Sequence, residues 1–210
     1  MKNFKSQKFQ FVLASGSPRR KELLQSVGIY FQKVSPRVDE GVRPKELPKA
    51  LVKRLSFEKA SEVMNRVSTR ASFENKKLFV LGADTIVFLS DSNRILGKPK
   101  NRVDAVRMLK MLSNRAHWVY TGYTLIYRDS SGKVKRKTRG IGTRVRFRPL
   151  SLSEIQEYIR SGEPMDKAGS YAAQGKGMTL IQSISGSYTN VVGLPVAEVL
   201  KDISIFLGKR

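Results

Sequence analysis

The 210-residue chain has no cysteine. Disulfides, thiol nucleophiles and cysteine-based zinc sites are therefore excluded, and a reducing, cytoplasmic setting is the expected one. Histidine is almost missing as well, since His117 is the only one. A Ser-His-Asp triad would have to use it, and no Gly-x-Ser-x-Gly elbow supplies a nucleophile, so a structural or surface role is the expectation for His117. No apolar run approaches the roughly 18 residues of a membrane span. Walker and dinucleotide fingerprints are also absent; Gly175-Lys176-Gly177 is too short for the former. Acidic residues are scarce, 17 against 40 lysines and arginines, for a formal net charge of +23. That excess favours anionic partners such as nucleotides, nucleic acid or acidic lipid without choosing among them. The hydrophobic fraction of 40% is enough for one real core, as one domain or a domain with two lobes. With thiols and histidine set aside, the remaining catalytic repertoire is carboxylates, lysines and an oxygen-bound metal, a set suited to a phosphate substrate.

Strand-like and helix-like segments alternate, which indicates a mixed α/β fold around one sheet. Residues 9–13 read as a strand, and 18–27 as a helix ended by Gly28. A second strand is expected over 30–34 and a loop over 35–46, with Asp39-Glu40 at its centre. Residues 48–67 read as a long helix with Val52, Leu55, Val63 and Val67 on one face. The apolar run 78–89 has strand length but is interrupted at Gly82-Ala83-Asp84-Thr85. A short strand over 95–98 precedes a helix from Asn101 to about Leu112, with Asp104 in its first turn. A hairpin follows, turning at Ser130-Ser131-Gly132. Its return strand alternates Val145 and Phe147 inward with Arg144, Arg146 and Arg148 outward. Ser153 is the expected cap of a helix through Ile159, with Gln156 closing a capping box. A Gly-rich segment, 166–177, leads into a strand over 178–184 and a loop over 185–194. Pro195 opens a last helix.

Several residues carry potential chemistry. At the first helix, Ser17 fits the N-cap and Pro18 the first helical position. Arg19 and Arg20 then stand at the wrong end of the helix dipole, by roughly 0.3–1 kcal/mol each. A bound anion would reverse that sign, meeting free N–H groups and two guanidinium forks; a basic surface helix is the plainer alternative. Lys59 shares the apolar face of the long helix. It either snorkels to solvent, which spacing alone favours, or points into a cleft. Asp84 in an apolar run is costly unless paired or bound to a cation, or else it marks a bend made by Gly82. Lys98, between Gly97 and Pro99, has a restricted backbone. The acidic pair Asp39-Glu40 could hold a hard cation through oxygen or simply face water. The Gly-rich segment around Lys167 and Gln174 suits close backbone approach to a ligand, and also an ordinary loop.

Taken together these segments resemble the Maf family of nucleoside triphosphate pyrophosphatases. The residues that carry the likeness are Ser15-Gly16-Ser17-Pro18-Arg19-Arg20, Val38-Asp39-Glu40, Glu58-Lys59-Ala60, Gly82-Ala83-Asp84-Thr85 and Gly97-Lys98-Pro99, followed by 163–175 and 186–195. They occur in family order over nearly the whole chain. The resemblance implies one domain over 1–210, an elongated mixed β-sheet flanked by helices in two lobes around a central cleft, and often a homodimer. It implies cleavage of a nucleoside triphosphate between its α and β phosphates with a divalent metal, Mg2+ or Mn2+. By matching position, Asp84 would be the base that activates water and, with Glu40, would hold the metal. Ser15, Arg20, Lys59, Lys98 and Lys167 would contact phosphates. Arg19, Thr85 and Gln174 match the subgroup acting on dTTP and UTP; Trp, Gln and Glu would mark the sister subgroup acting on 7-methyl-GTP. Asn114 departs from a frequent family glycine. The other reading is a basic nucleic-acid-binding module, resting on the charge, on the stretch 133–139 and on the arginines of the return strand, although no nucleic-acid motif supports it.

Overall fold

A computed structural model describes residues 9–69, 71–73 and 76–208. Among the described residues, seven strands form a mixed sheet in the order β2-β1-β3-β5-β6-β7, with β4 paired to β3. They are β1 (Gln10–Ala14), β2 (Gln32–Lys33), β3 (Leu78–Leu89), β4 (Arg94–Leu96), β5 (Ala116–Arg128), β6 (Val134–Phe147) and β7 (Ile181–Ser185). The flanking helices are α1 (Pro18–Ser26), α2 (Pro48–Ser68), α3 (Arg102–Leu112), α4 (Leu152–Arg160), α5 (Tyr188–Val192) and α6 (Val196–Phe206). β1 runs parallel to β2 and β3, whereas β4 pairs antiparallel with β3, and β7 with β6. None of the helices in the described residues is long and apolar enough to cross a membrane.

The chain divides into two compact units. The first comprises residues through Asp84, Thr121–Gly140 and Gly193 onward. Strand alternation builds its core on both faces of the sheet. Val12, Ala14 and Val80 pack with Ala60, Val63 and Val67 of α2. On the opposite face Phe79 gathers Phe9, Phe11, Tyr127 and Phe206 of α6, with ring centroids 4.6–6.3 Å from its own. Gly82 makes no bend: β3 is continuous through it. A Cβ there would strike the Ser56 carbonyl and lie 2.7 Å from the Ala60 nitrogen. The glycine therefore lets α2 lie directly on the strand, and Gly122 of β5 does the same against Val52.

The second unit comprises Thr85–Tyr120 and Ile141–Val192. Val145 and Phe147 are buried while Arg144 and Arg146 are exposed, as alternation requires. Asn101 caps α3, its side chain accepting from the Asp104 N–H at 2.9 Å. Asn114 has φ +54°, a left-handed conformation that glycine or asparagine adopts most readily, so Asn fits there where a bulkier residue would be strained. Two expectations are corrected. The cap of α4 is Ser151, not Ser153, and its box closes on Glu154. Arg148 pairs with Glu154 at 2.7 Å and holds that carboxyl down at about 2, so the charged box prevails over Gln156. The strand expected over 178–184 is present as β7, but it starts at Ile181 because 3-10 turns run over Gly175–Leu180, and the segment expected as a loop over 185–194 contains the short α5.

Candidate active site

In the first unit the turn after β1 and the start of α1 place Ser15 and Arg20 side by side. Arg20 is buried; its Nη1 donates to Ser15 Oγ at 3.1 Å and its Nε to the Gly193 carbonyl at 2.8 Å. Burial lowers the guanidinium from its ordinary value; Asp84 opposes that shift, neighbouring Arg19 adds to it, and Glu40 again opposes it. Ser17 occupies the N-cap position but its side chain does not cap. Its own N–H instead donates to Ser15 Oγ at 3.2 Å.

α2 and β3 supply the other half of this cluster. Lys59 does not snorkel: its side chain is only 6% exposed. Its ammonium donates to Asp84 Oδ1 at 2.6 Å and pairs with Glu40 Oε1 at 2.9 Å. The favoured reading from spacing fails because a buried carboxylate on the adjacent strand offers a better partner than water. Asp84 is itself buried, whereas Glu40 reaches in from an exposed loop. Asp39 turns the other way and accepts from the Gly41 N–H at 2.9 Å. The loop is clamped onto α2 by Arg54, which binds both Glu46 oxygens at 2.7 Å and donates to the Gly41 carbonyl at 2.8 Å.

Two carboxylates converging on one cation form a hard oxygen donor set, the chemistry that Mg2+ and Mn2+ prefer. Among the described residues no three or more Asp, Glu, His or Cys side chains are grouped so as to hold a metal alone. Such an ion would therefore complete its shell with phosphate oxygens and water, as is usual for Mg2+ at nucleotide sites.

Lys98, Lys167 and Gln174 belong to the second unit. Gly97 accepts from the Gly169 N–H at 3.0 Å, which ties the turn before exposed Lys98 to the turn after Lys167. Lys167 Nζ donates to the Glu163 carbonyl and to Asp166 Oδ1, both at 2.6 Å. Gln174 is half-buried at the head of the Gly175–Leu180 turns. The carboxylate of Glu163 organises this loop, accepting from Tyr158 Oη and from the Lys176 and Gly177 N–H groups at 2.9–3.0 Å. Thr85 directly follows Asp84 in β3 and is half-buried, as is Arg19 beside Arg20 in α1. Sequence reading gives no role to Glu163, Arg54 or the Gly193 carbonyl, although 163 and 193 lie in segments that carry the resemblance. The first two act on backbone or on other charged groups, and a carbonyl carries no signature in residue type.

His117 is fully buried, 2.7 Å from Tyr171 Oη and packed edge-on against Phe147. Burial lowers it to about 3, so it is neutral at pH 7 and structural.

Comparisons with known proteins agree with one another. A model of the family described as Maf-like protein matches residues 10–205. A dTTP/UTP pyrophosphatase of Agathobacter rectalis is 45% identical over 92% of this chain and 96% of its own length. Another of Syntrophus aciditrophicus is 45% identical over 92% of this chain and 88% of its own. A third, of Bacillus anthracis, is 41% identical over 94% and 95%.

Proposed function

The chain belongs to the Maf-like protein family, and from that premise we propose that it hydrolyses dTTP and UTP to the monophosphate and pyrophosphate. The observation that carries the reading is the buried Asp84–Lys59 pair, joined by Glu40 from an exposed loop, beside Arg20 and Ser15. Names borne by relatives that cover nearly the whole chain supply the substrate class.

In this reading Asp84 accepts the proton of the water that attacks the α-phosphorus. A carboxylate held in place by a buried ammonium is suited to that task, because its acceptor oxygens are fixed before substrate arrives. Arg20 and Ser15 at the start of α1 bind phosphate oxygens, with the helix N-terminus adding favourable partial charge. Lys59, Lys98 and Lys167 add positive charge against the triphosphate. Glu40 and Asp84 are the residues that would hold a divalent cation, which when bound neutralises phosphate charge and polarises the bond to be cleaved. Arg19, Thr85 and Gln174 select the pyrimidine, the Gln amide offering both a donor and an acceptor to the base.

The test is pyrophosphate release by purified, nuclease-treated protein from dTTP, UTP, CTP, ATP, GTP and 7-methyl-GTP. Faster turnover of dTTP and UTP supports the assignment. A preference for 7-methyl-GTP moves the chain to the sister subgroup, and no release from any of them removes the activity.

A further inference from the structure

Beyond the nucleotide chemistry, the second unit presents a sheet face with a composition of its own. Trp118 and Tyr120 of β5 lie stacked, ring centroids 5.8 Å apart and 15° from parallel, and Phe88 of β3 stands 6.3 Å from Tyr120. All three rings are half-buried rather than enclosed. Gly142 of β6 makes room for them: a Cβ there would lie 2.7 Å from Tyr120 Cε1 and 3.4 Å from Trp118 Cε3. Two and four residues further along the same strand, and hence on the same face, come exposed Arg144 and Arg146. They are paired in register with Ser185 and Ser183 of β7. The sheet segments of this unit, 85–89, Arg94–Leu96, 116–120, 141–147 and Ile181–Ser185, contain no aspartate or glutamate at all.

We propose that this face binds single-stranded nucleic acid, with bases stacking on the Trp118–Tyr120 pair and phosphates meeting Arg144 and Arg146. Aromatic platforms beside cations are the sequence-tolerant way to hold a single strand, because every base has a π-face and every linkage a charge. Charge selects this occupant over a second copy of the chain. A two-fold contact through this face would bring like arginine-bearing surfaces together in a protein of net charge +23, while an anionic polymer meets only attraction.

Trp118 is the only tryptophan, so its fluorescence reports the platform directly. A 5′-hydroxyl oligo(dT) 12-mer is titrated into the wild type, into R144A/R146A and into K133A/K135A, which removes equal charge from the exposed hairpin tip. The expected result is saturable quenching, weakened at least tenfold in R144A/R146A and much less in K133A/K135A, with nucleotide hydrolysis unchanged in both. Tyr120→Ala should weaken binding roughly 5- to 100-fold. The arginine pair keeps the test decisive if that variant fails to fold. Absent quenching, or equal loss in the two double variants, overturns the proposal. So does a wild-type dimer that Tyr120→Ala dissociates while the 12-mer leaves Trp118 unaffected, which would assign the face to a second copy.

Discussion

At the scale of the residue, the cluster shows how a basic chain manages scarce carboxylates. Asp84 and Glu40 share the ammonium of Lys59, and Arg20 is fixed by Ser15 and the Gly193 carbonyl. Burying Asp84, Lys59 and Arg20 is costly unless they are paired, so the partners fix one another's positions. Specificity is expected at Gln174, which sits at the head of the turns organised by Glu163. If the Gln174 amide donates to the base as proposed, replacing it by Glu leaves that base acceptor facing a negative charge with no donor. We expect Gln174→Glu to lower kcat/KM for UTP and dTTP by about 5- to 150-fold, equivalent to roughly 1–3 kcal/mol, with a smaller effect on other nucleotides. Steady-state kinetics across the substrate panel measures this. A uniform loss would mean that Gln174 only braces its loop. Protonation also has a residue-scale consequence at His117. Its folded value, about 3, lies below the ordinary 6.5. As pH falls the unfolded chain therefore takes up the proton first. The contribution is complete above about pH 6.5 and is lost at up to about 1.4 kcal/mol per pH unit as pH falls toward the folded value. Urea unfolding of wild type and His117→Gln between pH 7 and 5.5 should show the slope in the former and its flattening in the latter. Identical slopes would contradict the assignment of a buried neutral imidazole.

At the scale of the element, much was legible. The β1–α1 turn, the length of α2, the Asn101 cap and the alternation in β6 each follow from local pattern, because spacing and caps are properties of consecutive residues. What the sequence concealed depends on neighbours distant along the chain. Gly82 reads as a bend, yet its purpose is the passage of α2, and Lys59 reads as a snorkelling side chain until Asp84 is placed opposite it. The α4 cap shifted because Arg148 supports Glu154, and α5 is too short to announce itself. The helix-on-strand contact gives a sharp expectation. Gly122→Ala would drive a methyl into the Val52 carbonyl and should destabilise the fold by about 1–3 kcal/mol or more, whereas Gly97→Ala, with nothing within 4 Å of the new carbon, should be nearly silent. Thermal or urea unfolding of the pair distinguishes close packing from a generic cost of replacing glycine.

At the scale of the whole molecule, a net charge of +23 sets two behaviours apart. Nucleic-acid binding should weaken steeply with salt through counterion release, while hydrolysis, resting on directed contacts, should fall less over the same series. Hydrolysis reduces to whether the Asp84–Lys59–Glu40 cluster performs the chemistry. The most direct measurement is turnover and nucleotide affinity of folded Asp84→Asn beside the wild type, with UTP as substrate and products resolved. The asparagine keeps the size of the side chain but cannot accept the proton from water. The expected result is UMP and pyrophosphate from the wild type, a rate lowered by roughly 10²- to 10⁴-fold or more in the variant, and UTP binding largely retained. Near-wild-type turnover in Asp84→Asn, or UDP and phosphate as the wild-type products, would contradict the account.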